Sequence, residues 1–233
     1  MTRLALGGFL GRPDDWDGVL DSCWERLDWM RDLPSAESEY WLGDLARRVG
    51  SATDADVLLG YSMGGRIALH ILIQNPDRWR AAIIVSASPG PKPGEDPARA
   101  SRDEAWAERF RSEPWESVLA DWNAQSVFAH DPPDRLSRTE DLYDRAQLAE
   151  VLTHCSVARQ ADLRDALRQL TVPVLWVAGE RDTKYSALAA ECAALNSQFS
   201  LAIVPEAGHR APWGNPTAFT SAIDAFLLQH SPQ

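Results

Sequence analysis

A short glycine–serine motif carries the first chemical signal in the sequence. Ser62 lies in Gly60-Tyr61-Ser62-Met63-Gly64, directly after the apolar run at 57–59 and directly before a pattern with helical periodicity. A serine on such a strand-to-helix turn needs glycine neighbours because the chain turns so tightly. The N–H groups and the dipole of the following helix would face any negative charge that forms beside the hydroxyl. This context predicts a nucleophile elbow with Ser62 as the reactive group.

Asp182 and His209 offer the two partners that a serine nucleophile requires, a base and an acid that orients the base. Each follows an apolar run that predicts a strand, and the carboxyl ends of parallel strands share one edge of a sheet. We therefore expect Ser62, Asp182 and His209 to meet at that edge, in the chain order of the α/β hydrolases. Two alternatives stay open, because Glu180 is a rival acid and Asp182 could instead cap the next helix.

An oxyanion that forms beside Ser62 requires N–H donors. In this type of site one donor is the residue after the nucleophile, here Met63, and the other comes from the loop after the first strand. Phe9 is the predicted second donor.

Strands that alternate with helices predict the frame for these loops. The pattern indicates an α/β fold, the α/β-hydrolase fold, with a mostly parallel, doubly wound sheet. We expect a second strand at 27–30. A helix that begins at Asp14-Asp15-Trp16 is expected to place Trp16, Val19, Leu20 and Cys23 on one face.

The alternation stops after residue 87 and resumes near residue 171. Helical patterns at 98–111, 114–124, 133–142 and 145–155 fill the interval and predict a helical cap over the site. The predicted organisation is a first part of the hydrolase core at 1–87, a helical cap at 88–170 and a second part of the core at 171–233.

Composition and charge limit the classes of partner. A chain of 233 residues with 45% hydrophobic and 24% charged residues suits one core with an elaboration. The formal net charge of −11 argues against a nucleic-acid partner. A small anionic substrate is compatible with it, because local arginines outweigh a distant acidic surface.

The cysteines and the apolar runs indicate the compartment. Cys23, Cys155 and Cys192 fit neither a disulfide framework nor a zinc site. The sequence shows no signal-peptide pattern and no apolar run of membrane-spanning length. We expect a cytoplasmic protein without metal or organic cofactor, as a monomer or a small homo-oligomer.

Motifs along nearly the whole chain resemble one family. They are the stretches 8–11, 15–16, 60–66, 106–114, 120–122, 127–129, 179–185 and 205–209. Together they are similar to the MenH family, the 2-succinyl-6-hydroxy-2,4-cyclohexadiene-1-carboxylate synthases of the α/β-hydrolase superfamily. The stretches inside the helical insertion carry the most weight, because caps diverge among hydrolases whereas elbow motifs are shared.

The resemblance implies a carbon–oxygen lyase of menaquinone or phylloquinone biosynthesis. Such an enzyme eliminates pyruvate from 2-succinyl-5-enolpyruvyl-6-hydroxy-3-cyclohexene-1-carboxylate. Ser62, activated by His209, would take the proton next to the succinyl ketone while the oxyanion hole holds the enolate, and no acyl-enzyme is required.

The same resemblance implies substrate-binding residues. Arg66 and Arg99 match arginines of the family, and guanidinium groups bind carboxylates through paired hydrogen bonds. Tyr61 and Trp122 are similar to pocket residues of the family, although aromatic residues at these positions could also belong to the core.

The chain departs from the family pattern at several positions. Gly7-Gly8 stands where the family usually has His-Gly, and the usual Gly-His-Gly is absent after Asp32-Leu33-Pro34. The stretch 137–146 is short, so Arg138 or Arg145 is the candidate for a second cap arginine.

Two other classes of function compete with the lyase. A serine esterase or thioesterase would use the same Ser62 triad and predicts turnover of neutral esters. A binding protein on a degenerate hydrolase frame would show no turnover that depends on Ser62.

Overall fold

The structure is a computed structural model and describes residues 2–131 and 138–231. The strands of this part of the chain are β1 (Arg3–Leu6), β2 (Trp24–Leu27), β3 (Val57–Tyr61), β4 (Ala81–Val85), β5 (Val174–Gly179) and β6 (Phe199–Val204). They form one six-stranded sheet with the order β2-β1-β3-β4-β5-β6, and every neighbouring pair is parallel.

Helices connect most of the strands. The α-helices are α1 (Trp41–Ser51), α2 (Met63–Gln74), α3 (Arg99–Ser112), α4 (Trp115–Asn123), α5 (Arg145–His154), α6 (Arg164–Arg168), α7 (Thr183–Ala193), α8 (Ala211–Gly214) and α9 (Pro216–Gln229). Short 3-10 turns lie at Pro13–Trp16, Trp29–Asp32, Pro76–Arg78, Ser126–Phe128, Glu140–Leu142 and Val157–Arg159.

Alternating strand residues fill an apolar layer on each side of the sheet. One layer contains Leu58 and Ile84 and packs against α1, α2 and α7. The other contains Leu59 and Ile83 and packs against α9. The predicted doubly wound parallel sheet is therefore confirmed. No helix of residues 2–131 and 138–231 is both long and apolar enough to cross a membrane.

The helical segment, which we define as residues 88–131 and 138–170, lies between β4 and β5 in the chain. Its helices enclose a third apolar cluster that includes Phe110, Trp115 and Leu148, and Leu10 from the loop after β1 joins it. The predicted helices at 98–111, 114–124 and 145–155 match α3, α4 and α5 to within one residue at each end. Of the predicted helix at 133–142, residues 133–137 lie outside the described residues and Glu140–Leu142 is a 3-10 turn.

Two predictions near the start of the chain are wrong. The helix expected from Asp14 is a single 3-10 turn, because Gly18 at φ 76° redirects the chain, and Cys23 is exposed. The second strand ends at Leu27 instead of beginning there. The apolar residues after Leu27 belong to a turn in which the Trp29 indole N–H donates to the Gly7 carbonyl oxygen.

Candidate active site

The loop between β3 and α2 is a strained and tightly packed turn. Ser62 has φ 52° and ψ −110°, and a conformation of this kind costs about 1–3 kcal/mol. A Cβ atom on Gly60 would lie 2.4 Å from the Gly64 carbonyl oxygen, and one on Gly64 would lie 2.4 Å from the Gly7 carbonyl oxygen. Glycine is thus required on both sides of Ser62, and the geometry is that of a nucleophile elbow.

Ser62, His209 and Asp182 form one hydrogen-bonded chain. Ser62 Oγ lies 3.1 Å from His209 Nε2, and His209 Nδ1 lies 2.7 Å from Asp182 Oδ2. A histidine that donates its Nδ1–H to a carboxylate keeps Nε2 as the acceptor for the serine proton. His209 is 3% exposed and Asp182 is 7% exposed. The arrangement can take a proton from Ser62 and hold the resulting imidazolium beside a carboxylate.

The Asp182 carboxylate serves a helix as well as the histidine. Its Oδ1 accepts from the Tyr185 backbone N–H at 3.2 Å as the N-cap of α7, while its Oδ2 accepts from His209. The capping role and the contact with histidine therefore coexist. Glu180 accepts from the Glu206 backbone N–H at 2.9 Å, and Asp182, not Glu180, contacts His209.

Aromatic rings surround the His209 imidazole. The ring centroids of Tyr185, Tyr61 and Phe128 lie 4.6, 5.7 and 5.7 Å from it. Burial raises the pKa of Tyr61 and of Tyr185, so both side chains stay neutral phenols at physiological pH. Because the rings exclude water, the attraction between Asp182 and a protonated His209 is stronger than it would be in solvent.

Two backbone segments bring N–H groups to the cavity at Ser62. Met63 begins α2, and the N–H groups of a first helical turn have no partner within the helix. Phe9 lies in a four-residue turn, the Gly8–Gly11 turn, which a 2.9 Å hydrogen bond from Gly11 N–H to the Gly8 carbonyl oxygen closes. Since N–H and C=O of a trans peptide point in opposite directions, the Phe9 N–H points away from that closing bond.

Two cavities meet at Ser62. The larger has a volume of about 530 Å³, and we name it the cationic chamber because its walls include Arg66, Arg99, Arg102, Arg181 and Lys184. The smaller, the second chamber, has a volume of about 330 Å³ and is lined among others by Tyr61, Arg138, Arg210 and Trp213. Phe9, Trp122 and Phe128 contribute to both cavities.

The two arginines expected to bind substrate both line the cationic chamber. Arg66 is 5% exposed and donates from Nη1 to the Cys155 carbonyl oxygen at 2.5 Å, and its burial lowers its pKa. Arg99 donates from Nε to both carboxylate oxygens of Asp103, at 2.9 and 2.7 Å. Each guanidinium is thus anchored by the protein at one nitrogen, which orients the group.

The aromatic residues and the cap arginines have distinct positions. Tyr61 lines the second chamber, and Trp122 packs against Phe9 with a centroid distance of 4.8 Å. Arg138 also lines the second chamber. Arg145 donates to the carbonyl oxygens of Phe110 and Glu113 and lies among the residues of neither chamber.

Three cations of the chamber were not predicted. Arg102 follows Arg99 by three residues on α3, and Arg181 and Lys184 flank Asp182. A signal was available, because residues three apart share a helix face and residues beside a catalytic loop residue lie at the same sheet edge. In the described ranges no group of three or more His, Cys, Asp or Glu side chains is arranged to hold a metal ion.

Comparison with known proteins gives the family. The model of the alpha/beta hydrolase family matches residues 4–222. The 2-succinyl-6-hydroxy-2,4-cyclohexadiene-1-carboxylate synthase of Klebsiella pneumoniae is 36% identical, with 95% of this chain and 92% of that protein covered. The synthase of Yersinia pseudotuberculosis is 34% identical, with 97% and 87% covered. The chain belongs to the MenH family of α/β hydrolases.

Solved structures agree with the fold of the MenH family. MenH from S. aureus has a TM-score of 0.84 at 24% identity, with 99% of this chain and 94% of that chain covered. A thermophilic esterase from Thermogutta terrifontis has a TM-score of 0.73 at 20% identity, with 100% and 91% covered. The backbone frame is thus shared between MenH and an esterase.

One departure from the MenH pattern has a structural counterpart. Gly7 carries no side chain, and its carbonyl oxygen accepts the indole N–H of Trp29 at 3.0 Å. Trp29 is 2% exposed and begins the short turn that follows β2. The loop that carries Phe9 is therefore fixed by a side chain from the neighbouring strand connection.

Proposed function

We propose that this chain eliminates pyruvate from 2-succinyl-5-enolpyruvyl-6-hydroxy-3-cyclohexene-1-carboxylate and gives 2-succinyl-6-hydroxy-2,4-cyclohexadiene-1-carboxylate, a step of menaquinone biosynthesis. The observation that carries the proposal is the position of Ser62, bonded to His209, on the wall of the cationic chamber. The synthases of Klebsiella and Yersinia, at 36% and 34% identity, support it.

The reaction begins with a proton transfer. Ser62 Oγ removes a proton from the carbon next to the succinyl ketone as His209 Nε2 takes the hydroxyl proton, and Asp182 stabilises the imidazolium. The electron pair left on carbon moves to the ketone oxygen as an enolate. The N–H groups of Met63 and Phe9 stabilise that oxygen as the oxyanion hole.

The second half of the reaction breaks a carbon–oxygen bond. The enolate electrons return into the ring, form the diene and expel the enolpyruvyl oxygen with its electron pair. The group that departs is the enolate of pyruvate, and it takes up one proton at its carbon to become pyruvate. His209 supplies this proton, which it took up in the first step. The reaction is therefore balanced without water, metal or cofactor.

Substrate recognition follows from charge. The substrate carries three carboxylates, and an enzyme with a net charge of −11 must bind them locally. The anchored guanidinium groups of Arg66 and Arg99 bind carboxylates in fixed directions, and Arg102, Arg181 and Lys184 add positive charge to the same chamber.

Pyruvate release tests the proposal. Purified protein is incubated with the substrate, and pyruvate is followed by a coupled reduction. We expect the rate of pyruvate release to fall at least about 10³-fold in Ser62→Ala, because removal of the serine of a Ser–His–Asp triad costs at least this factor in rate. Release from the wild-type protein no faster than from Ser62→Ala overturns the proposal.

A second measurement separates the lyase from an esterase. Arg66→Ala should lower kcat/KM for elimination about 10²-fold, because a buried guanidinium–carboxylate contact contributes about 2–3 kcal/mol. Hydrolysis of p-nitrophenyl acetate, a neutral ester, should change less than about threefold in the same preparation. Efficient ester turnover without pyruvate release would instead establish an esterase, and equal losses in both reactions would contradict the role of Arg66.

A further inference from the structure

The Gly8–Gly11 turn has an unusual residue at its third position. Leu10 has φ 61°, where a type II turn favours glycine because it carries no Cβ. Gly11 is restricted as well, since a Cβ atom there would lie 2.7 Å from the Gly8 carbonyl oxygen. The turn that presents the Phe9 N–H therefore needs contacts from outside to hold Leu10 in this conformation.

Two side chains of the helical segment bind the Leu10 carbonyl oxygen. The Tyr143 hydroxyl donates to it at 2.9 Å, and Arg138 Nη1 donates to the same oxygen. Arg138 Nη1 also lies 3.0 Å from the Tyr143 hydroxyl, and Arg138 Nη2 donates to Asp15 at 3.0 Å. The Leu10 carbonyl oxygen thus accepts hydrogen bonds from two side chains that are also hydrogen-bonded to each other.

The donors themselves are held in place. The Tyr143 ring stacks on Trp115 with a centroid distance of 5.2 Å, and the Trp115 indole N–H donates to the Arg138 carbonyl oxygen. Burial raises the pKa of Tyr143, so its hydroxyl keeps its proton and remains a donor. The Leu10 side chain packs into the apolar cluster of the same segment. The turn is therefore fixed to the helical segment through both its backbone and its side chain.

We propose that Tyr143 and Arg138 are positioning residues that hold the Gly8–Gly11 turn in the shape that aims the Phe9 N–H at the reacting oxygen. The inference rests on the proposed function in assigning Phe9 to the oxyanion hole. It gives Arg138 a role that differs from the substrate contact expected of a cap arginine. Loss of a substrate contact raises KM, whereas a misdirected oxyanion donor lowers kcat and leaves KM nearly unchanged.

The test uses two reactions at Ser62. One is pyruvate release, measured as kcat and KM. The other is the rate of Ser62 labelling by a fluorophosphonate, whose phosphoryl oxygen occupies the oxyanion hole whatever the natural substrate is. Tyr143→Phe should lower kcat and the labelling rate together, each about tenfold, with KM within about twofold. Tyr143→Phe with Arg138→Met should approach the loss of about 10²–10³ that removal of an oxyanion donor causes.

Arg145→Met is the matched control. Arg145 also donates to backbone carbonyl oxygens, of Phe110 and Glu113, but has no bond to the turn. The fluorophosphonate should label Ser62 of this variant at a rate within about twofold of the wild-type rate. The inference is overturned if Ser62 of Tyr143→Phe is labelled at the wild-type rate, or if only KM changes in that variant. It is also overturned if the labelling rate falls as much in Arg145→Met as in Tyr143→Phe. If the wild-type protein releases no pyruvate while Ser62 of Tyr143→Phe is still labelled more slowly than Ser62 of the wild-type protein, the proposed function is refuted and the inference stands.

Discussion

Asp182 divides its two carboxylate oxygens between a helix and a histidine. Oδ1 caps α7 and Oδ2 accepts the Nδ1–H of His209. An asparagine retains one acceptor for the cap but offers an N–H group to the imidazole. His209 would then carry its proton on Nε2, where it is unable to accept the Ser62 proton.

Asp182→Asn therefore separates catalysis from stability. We expect kcat for pyruvate release to fall about 10³–10⁴-fold because the imidazole adopts the wrong tautomer. The melting temperature should stay within a few degrees, since asparagine also caps helices well. Steady-state kinetics and a thermal melt measure the two effects, and a loss of less than about tenfold in kcat would contradict the assignment.

His70 is a partly buried histidine of α2 that does not belong to the triad. Burial lowers its pKa to about 4, and its Nε2 has no hydrogen-bond partner in the part of the chain that the structure describes. An unfolded histidine titrates near pH ~6.5. The unfolded state therefore binds more protons between these values, and the free energy of unfolding falls as the pH drops through this window, by about 2 kcal/mol at about pH 5.

His70→Gln should remove this pH dependence, because glutamine does not titrate. Urea unfolding at about pH 7.5 and about pH 5 gives the loss of unfolding free energy for each protein. The wild-type protein is expected to lose about 2 kcal/mol more than the variant. The same loss in both proteins would show that His70 is not the titrating group.

The elbow could be predicted because a short sequence motif marks it. Gly60 and Gly64 are required by contacts within a few residues and with the first loop, so the motif itself carries the information. The second strand could not be placed correctly, because Leu27, Trp29 and Met30 are all apolar and only pairing with β1 decides which of them is in the strand. β2 ends at Leu27, and the turn that follows is held by the hydrogen bond from the Trp29 indole N–H to the Gly7 carbonyl oxygen.

Two glycine-to-alanine changes compare the elbow with an ordinary helix. In Gly64→Ala the new methyl group would lie 2.4 Å from the Gly7 carbonyl oxygen and 2.5 Å from that of Leu6, both fixed backbone atoms. In Gly43→Ala, within α1, the nearest atom is Gln74 Nε2 at 3.6 Å. Gly43→Ala should stabilise the protein by about 0.5–1 kcal/mol, the gain of alanine over glycine in a helix.

Gly64→Ala should destabilise the protein by about 2–4 kcal/mol, since overpacking against backbone leaves no side chain to move aside. Chemical denaturation of both variants measures the changes, and labelling of Ser62 reports whether the elbow keeps its shape. Equal stabilities of Gly64→Ala and the wild-type protein would contradict the packing argument.

The charge around Ser62 is opposite in sign to the net charge of the protein. The protein carries a formal charge of −11, yet the walls of the chamber at Ser62 include Arg66, Arg99, Arg102, Arg181 and Lys184. Lys184→Glu should lower kcat/KM for the anionic substrate about tenfold at low salt, because it reverses a charge within one Debye length of the site, about 10 Å at ~0.1 M salt. The difference should shrink as salt is added.

Arg47→Glu is the control for net charge. Arg47 lies on α1, outside both chambers, and the change in total charge is the same. Its kcat/KM should stay within about twofold of the wild-type value. If both variants lose activity equally, the overall charge and not the chamber governs the encounter with substrate.

The meeting of the triad residues could be predicted from the sequence, whereas the second chamber could not. The position of Ser62, Asp182 and His209 follows from a rule of parallel sheets, that strand ends share one edge. The second chamber needs the Gly8–Gly11 turn, Arg138 and Trp213 to converge, and no periodicity or motif records such distant contacts. Its walls depend on how the helical segment packs on the core.

The order of the strands in the sheet also determines how long β4 remains without its partner β5 while the chain is synthesised. β4 pairs with β3 on one side and with β5 on the other, and residues 86–173 separate β4 from β5 in the chain. At roughly 5–20 residues per second, a ribosome takes about 4–18 s to make that interval. A central strand of the finished sheet is for this time an open edge, with N–H and C=O groups free to pair with other chains. Slow codons in the helical segment should therefore increase aggregation, although they change no amino acid.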